Sequence, residues 1–186
     1  ENVIIEASSH GLHQERLHHI NFKSAIFTNF SQDHLDYHKN MKAYLNAKLI
    51  LFRKILRKKT KIISDKDILP FKILKKISKK RGLKLVDINN EFLKVKNQLP
   101  AFPDFKKKNL AMAILVAKIC GLKEHLIYGK IKKINDVNGR LELVKKFPNK
   151  VKVFLDYAHT PDALLKTLEC LKNENNKNIS IVFGCG

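Results

Sequence analysis

Three clusters in the chain carry side chains able to do chemistry. Glu6-Ala7-Ser8-Ser9-His10 follows a β-branched apolar run, Val3-Ile4-Ile5. A carboxylate placed where a strand gives way to a helix N-terminus suits Mg²⁺, a hard ion that takes oxygen ligands and phosphate partners. The serines after it suit either an anion held with backbone N–H groups or an ordinary helix cap, and their spacing alone favours the cap. The second cluster is Thr28-Asn29-Phe30-Ser31-Gln32-Asp33-His34-Leu35-Asp36-Tyr37-His38. Its histidines, His34 and His38, have the i,i+4 spacing that puts two imidazoles on one helix face. Without the internal glutamate of the zincin motif, a zinc reading of that pair is weak. His18-His19 point to different faces of a helix and add no ligands. The third cluster, Leu155-Asp156-Tyr157-Ala158-His159-Thr160-Pro161-Asp162, sets an acid and a histidine at a strand end, next to a proline near a helix start. It reads either as a capped helix start or as a place where a nucleotide binds.

No Ser-His-Asp order or Cys-His pair points to a covalent nucleophile, and no G-x-x-x-x-G-K-[ST] loop is present. If the chain uses ATP, its phosphate loop is expected outside these residues.

Those clusters need elements to hold them. Val3-Ile4-Ile5-Glu6 and Ala25-Ile26-Phe27-Thr28-Asn29 read as short strands, with a helix over residues 10–20 between them. Strand, helix, strand at this spacing is a βαβ unit, so the expected fold class is α/β with a parallel sheet. In such sheets ligands gather beyond the carboxyl ends of the strands. A long helix is predicted over 41–56, with Tyr44, Ala47, Lys48, Leu51, Phe52 and Ile55 on one side. A strand follows over 61–64, then a helix over 68–82 that admits Pro70 in its first turn. Beyond these come a strand over 83–86, an alanine-rich helix over 109–121 closed by Gly121, and a short helix over 125–134. Phe147-Pro148-Asn149-Lys150 reads as a turn or linker. After it, a strand over 151–156, a helix over 160–173 and a strand over 179–184 predict a second βαβ unit. The expected domains are residues 1–147 and 148–186, and both ends, Glu1 and Gly184-Cys185-Gly186, look cut.

Composition excludes several classes. The 186 residues are 44% hydrophobic and 29% charged, which is globular in type and long enough to bury most of the apolar surface. The three cysteines stand far apart with no C-x-x-C pair, against a disulfide framework or zinc ribbon and in favour of a reducing compartment. No apolar run approaches the roughly 20 residues of a membrane span, and the first residues lack the regions of a signal peptide. The balance of 37 Lys+Arg against 17 Asp+Glu gives a formal charge of +20, a footprint shared with nucleic-acid-binding proteins. The lysines sit at helical spacing between Ile and Leu, as in Ile73-Leu74-Lys75-Lys76-Ile77-Ser78-Lys79-Lys80, and read as a solvated helix face. A nucleic-acid partner is therefore the weaker alternative.

Taken together, the motifs resemble the Mur ligases. The carrying segments are Glu6-Ala7-Ser8-Ser9-His10-Gly11-Leu12 with Gln14 and Arg16, and the run from Phe27 through His38. Met41-x-x-Tyr44-x-x-Ala47-Lys48-x-x-Leu51-Phe52, Asn138-Gly139-Arg140-Leu141-Glu142 and Asp156-Tyr157-Ala158-His159-Thr160-Pro161-Asp162-Ala163-Leu164 complete them. They lie in family order over nearly the whole chain, and their wording is most similar to the UDP-N-acetylmuramoyl-tripeptide synthetase branch. Other Mur ligases and folylpolyglutamate synthetases are the alternatives within the superfamily.

The resemblance implies most of a central ATP-binding domain over 1–147, a P-loop-type ATPase core whose phosphate loop precedes Glu1. It implies the start of a Rossmann-like C-terminal domain over 148–186. The implied activity is ATP-dependent addition of a diamino acid to UDP-MurNAc-L-Ala-D-Glu through an acyl phosphate, in peptidoglycan synthesis. ATP and Mg²⁺ are the implied cofactors, and the implied setting is a cytoplasmic monomer with no membrane or nucleic-acid partner. Glu6, His34 and Lys48 would stand at the metal, with Lys48, Arg140 and His34 catalytic. Lys48 would be carbamylated, since a neutral amine capped by CO₂ becomes a carboxylate that helps place Mg²⁺. Ser8, Gln14 and Arg16 would hold the UDP-MurNAc-dipeptide, Arg16 as an anion fork. Asn138, Arg140, Asp156 and His159 would contact the nucleotide. Family members carry Pro where Asn138 stands and usually Arg where Gln32 stands. The isolated chain is expected to be inactive, and meso-diaminopimelate and L-lysine both stay open as the added residue.

Overall fold

A computed structural model of the chain describes residues 2–99, 103–131, 133–134, 137–175 and 178–184. They form two compact units, residues 1–30 with 34–128, and residues 31–33 with 129–186.

In the first unit, strands β1 (Ser24–Phe27), β2 (Lys61–Ser64) and β3 (Lys84–Asp87) make a parallel sheet in that order. Ile26 is in register with Ile63, and Ile63 with Val86. β2 is central, and Ile62 and Ile63 point to opposite faces of it, both at 0% exposure. Burial on both faces is what selects a continuous β-branched run, and each such side chain contributes about 1.5–3 kcal/mol. The Ser64 hydroxyl donates to the Phe27 carbonyl at 3.0 Å, which joins the carboxyl ends of β1 and β2.

Helices pack against that sheet. Short helices α1 (Ser9–His13) and α2 (Leu35–His38) flank β1 in sequence, and α3 (Met41–Ile50) runs on into a π-helical turn, Leu51–Ile55. Asn40 caps α3 by accepting the Ala43 N–H at 2.9 Å. Leu49, Leu51, Phe52 and Ile55 from this long element join Leu12, Phe27, Ile62 and Leu74 in one buried core. α4 (Phe71–Arg81) buries Leu74, Ile77 and Ser78, while Lys72, Lys75, Lys76, Lys79 and Lys80 are exposed. The basic face is solvated, as the periodicity implies. Gly82, left-handed at φ 64°, ends the helix, and the Leu83 N–H donates to the Ser78 carbonyl. α5 (Asn89–Gln98), α6 (Asp104–Ile119) and α7 (Glu124–Ile131) complete the helical part. α6 closes through Gly121 at φ 94°, with the Leu122 N–H on the Ala117 carbonyl at 3.1 Å.

Several expectations for this unit are corrected. Val3-Ile4-Ile5 forms no strand, and Val3 and Ile4 are 81% and 93% exposed. A β-branched run becomes a strand only where another strand and a packing face receive it, and the neighbour of β1 is β2. The helix expected over 10–20 stops at His13 because Glu15 turns into the left-handed region at φ 60°. α5 went unforeseen because its polar-rich Asn89-Asn90-Glu91 start hides a narrow apolar stripe. α6 begins at Asp104, directly after Pro103, ahead of the expected start at 109. α7 ends at Ile131, short of 134, and residue 132 lies outside the described residues.

In the second unit, β4 (Glu142–Lys146) and β5 (Lys152–Leu155) pair antiparallel, with Glu142 opposite Leu155, and α8 (Pro161–Asn175) follows. The expected second βαβ unit is not formed. β5 takes β4 as its partner, and residues 178–184 lie outside any strand, with Val182 100% exposed. Phe147-Pro148-Asn149-Lys150 is the hairpin turn between them, closed by the Lys150 N–H on the Phe147 carbonyl at 2.9 Å. The turn expected to mark a domain division near 148 therefore lies inside this unit, which begins at Gly129 apart from residues 31–33. Cys185 and Gly186 lie outside the described residues.

Candidate active site

The site in the first unit starts from α1. The Ser8 hydroxyl oxygen accepts the Gly11 N–H at 3.1 Å, so the plain capping role of this serine is realised. Gly11 packs closely here: a Cβ would stand 3.2 Å from Ser8 Oγ, a tight approach, and 3.9 Å from Arg16 Cδ, an ordinary contact. Ser8 and the Arg16 stem thus both lie near Gly11. Gln14 occupies the C-cap of α1, and Glu6 is exposed in the segment leading into it.

His34 does not sit on a helix. It precedes α2 in the left-handed region, φ 51° and ψ 33°, a conformation that histidine adopts more readily than most residues. The i,i+4 face shared with His38 therefore does not exist. The His34 ring instead meets His10 edge-on, 4.8 Å between centroids, and Tyr44 at 6.0 Å. Lys48 Nζ lies 4.9 Å over that same Tyr44 ring, since Tyr44 and Lys48 are one helical turn apart on α3. His34 and Lys48 thus share a ring as their common neighbour.

Beneath them lies His38, buried at 6% exposure. Its Nε2 shares a hydrogen bond of 2.9 Å with Ser9 Oγ, and its ring packs on Tyr37, Tyr44 and His10. Burial, and then the neighbouring His10, His13 and His34, push the His38 pKa below 6.5, against an opposing pull from Asp36. The i,i+4 spacing of His34 and His38 does not reveal the buried bond between His38 and Ser9. The usable signal was the apolar surroundings that Tyr44 and Ala47 predict for whatever packs on α3.

Among the described residues, no three His, Cys, Asp or Glu side chains converge into a metal cage. A zinc site built from protein groups alone takes three or four such ligands. Mg²⁺ asks for less, because it keeps waters and takes one or two carboxylates together with phosphate oxygens. Glu6 is a donor of that kind. His34 is a softer one, and Lys48 would become a carboxylate ligand on carbamylation.

In the second unit the residues gather around Tyr157. The Arg140 guanidinium lies 4.6 Å over its ring, and the His159 ring stands edge-on at 5.1 Å. The Tyr157 N–H donates to the Gly139 carbonyl at 2.8 Å, and Gly139 holds φ 68°, which glycine adopts without strain. Asp156 accepts from the Leu141 N–H at 2.7 Å, the Ala158 N–H at 2.9 Å and the Thr167 hydroxyl at 3.2 Å. Its carboxylate orders the loops on either side of the hairpin. Asn138 is exposed beside Gly139.

Both units match known family models. The Mur ligase middle domain matches residues 1–111, and the Mur ligase, glutamate ligase domain matches residues 139–186. The chain belongs to the Mur ligase family. Relatives named UDP-N-acetylmuramoyl-L-alanyl-D-glutamate–2,6-diaminopimelate ligase narrow the comparison. The one from Wigglesworthia glossinidia brevipalpis is 37% identical over 99% of this chain and 42% of its own length. That from Rickettsia bellii is 37% identical over 99% and 43%, and that from Aquifex aeolicus 36% over 100% and 42%. The chain spans about two-fifths of the length of these curated relatives. Among the described residues no helix is long and apolar enough to cross a membrane.

Proposed function

We propose that the protein containing this chain is an ATP-dependent ligase that joins 2,6-diaminopimelate to UDP-MurNAc-L-Ala-D-Glu, working as a cytoplasmic monomer. The observation that carries the reading is the arrangement in which His34 and Lys48 approach one Tyr44 ring beside the capped start of α1. The relatives' printed activity, shared over almost the whole chain, supports the choice of amine.

When bound with Mg²⁺, ATP supplies the phosphoryl group that turns the D-Glu γ-carboxylate into an acyl phosphate, which the amine attacks to leave an amide, ADP and phosphate. The work of this chain is positioning and charge neutralisation. Glu6 and His34 would hold the ion, together with Lys48 in its carbamate form. Ser8, Gln14 and Arg16 hold the acidic precursor, with Arg16 as the bidentate group. In the second unit Arg140 would supply positive charge to phosphate oxygens, while Asn138, Asp156 and His159 would serve the nucleotide.

Phosphate release by the complete protein, with UDP-MurNAc-L-Ala-D-Glu and ATP, tests this directly. Release that depends on diaminopimelate is expected. Release with L-lysine alone would overturn the choice of amine, and no release with either would overturn the ligase reading.

A further inference from the structure

We propose that His38 is a positioning residue that sets the ligase site from beneath, through its bond to Ser9 and its ring contacts with His10 and Tyr44. The inference rests on the ligase reading above. His38 closes α2, 6% exposed, and touches Ser9, His10 and Tyr44, the neighbours of the first unit's site residues. Its Nε2 holds Ser9 Oγ at 2.9 Å, and Ser9, itself 1% exposed, follows the capping Ser8 directly. Its ring stands 5.4 Å from His10, the residue whose ring abuts His34 at 4.8 Å. On the other side it stands 5.3 Å from Tyr44, the ring that His34 and Lys48 share.

The arrangement answers a physical need. His34 is exposed and in a left-handed turn, and Glu6 lies on irregular backbone ahead of α1, so no helix or strand of their own fixes these two. A buried polar side chain with a satisfied hydrogen bond has one arrangement, because breaking that bond leaves two desolvated groups without partners. Ser9 and His38 are such a pair, and among the described residues no side-chain nitrogen or oxygen is buried without a partner. The bond therefore fixes the start of α1 against the end of α2, and the two ring contacts carry that placement to His34 and Lys48. His38 is also distinct from the groups expected to meet substrate or metal, so its effect passes through them.

The test uses the complete protein with His38→Leu, His38→Gln and Ser9→Ala, each with a melting temperature and kcat and KM for phosphate release. Gln places a polar atom near the Nε2 position and keeps the bond, whereas Leu fills space without it. Removing a group that orients catalytic side chains is expected to lower kcat about 10–100-fold in His38→Leu, with KM for ATP within about threefold. Ser9→Ala should fall in the same direction, and His38→Gln should recover most of the loss. If His38→Leu does not fold, Ser9→Ala decides, since it removes one oxygen only. A kcat within about twofold of wild type in the folded non-bonding variants overturns the positioning role, as does a loss in His38→Gln equal to that in His38→Leu. A wild-type protein that releases no phosphate overturns the ligase reading and this inference with it, so the two failures are told apart.

Discussion

The Asp156 carboxylate accepts the Leu141 N–H at 2.7 Å, which ties the end of β5 to the residue just ahead of β4. The same carboxylate takes the Ala158 N–H and the Thr167 hydroxyl, so three donors from three places converge on one side chain. Asp156→Ala is expected to lower the stability of the second unit by about 1–3 kcal/mol, because a part-buried donor left without its acceptor keeps its desolvation cost. Hydrogen exchange reads it: the Leu141 and Ala158 amides should exchange much faster, and unchanged protection would refute the assignment.

A second prediction concerns a network that no motif announces. Glu91 is 6% exposed and accepts from Lys118 at 2.8 Å and from the Tyr128 hydroxyl. Lys118 also pairs with Glu124 at 3.1 Å. Glu91→Ala leaves Lys118 with Glu124 alone and the Tyr128 hydroxyl without its acceptor, and is expected to cost about 1–3 kcal/mol in chemical denaturation, and Glu91→Gln clearly less. Burial by itself pulls the Lys118 pKa down, but the hydrogen bonds and charges of Glu91 and Glu124 outweigh it and hold the pKa above 10.5. Burial and Glu91 likewise raise Tyr128 above 10.0. Both groups keep their protons longer in the folded state, so their stabilisation is complete below pH 10 and declines as pH rises. Glu91→Gln should flatten that alkaline decline, and an identical slope in wild type and variant would contradict it.

The third prediction follows from His38, faced by His10 and His13 from α1, His34 and Asp36 around α2, and Tyr44 from α3. Its pKa is lowered from 6.5 by burial and by the other histidines. The unfolded chain therefore takes up a proton that the folded chain resists. Stability is complete above about pH 6.5 and falls as pH drops through that value toward the lower folded one. His38→Gln removes this titration, so its melting temperature should depend less on pH between about 5 and 7 than that of wild type. Parallel curves for the two proteins would show that another group is responsible.

How much of this was legible in the sequence depended on where each signal lay. β2 was clear because Lys61-Ile62-Ile63-Ser64 is buried on both faces, and α4 was clear because its lysines alternate with Ile and Leu at helical spacing. Both need only local pattern. Val3-Ile4-Ile5 has the same local pattern as β2 but lacks a neighbouring strand, which no local pattern reports. The antiparallel β4–β5 pair was hidden for the same reason, with Glu142-Leu143-Val144-Lys145-Lys146 exposed along most of its length. At the site, Tyr44 and Lys48 were placed on one face correctly by helical spacing. His34 was misplaced, because a left-handed residue ahead of α2 breaks the periodicity that spacing arguments assume.

The last prediction is that Lys48 acts as its carbamate. As an ammonium it lies 4.9 Å over the Tyr44 ring, a contact worth about 0.5–1 kcal/mol that favours the cation. Carbamylation exchanges that contact for a negative group able to ligate a hard ion, so it should be favoured when Mg²⁺ is present to receive it. In the complete protein, removal of dissolved CO₂ should lower phosphate release, and bicarbonate should restore it. Lys48→Ala should lose at least about 100-fold in kcat, as removal of a group that stabilises transition-state charge does, with partial rescue by a short carboxylic acid. Glu6→Gln should instead keep its CO₂ dependence and demand more Mg²⁺, since it weakens the other oxygen ligand. A Lys48→Ala enzyme with wild-type turnover would remove the carbamate from the mechanism, while an unaltered Mg²⁺ requirement in Glu6→Gln would remove Glu6 from the metal. Labelled ¹³CO₂ separates the two further, because a carbamate resonance must vanish in Lys48→Ala and survive in Glu6→Gln.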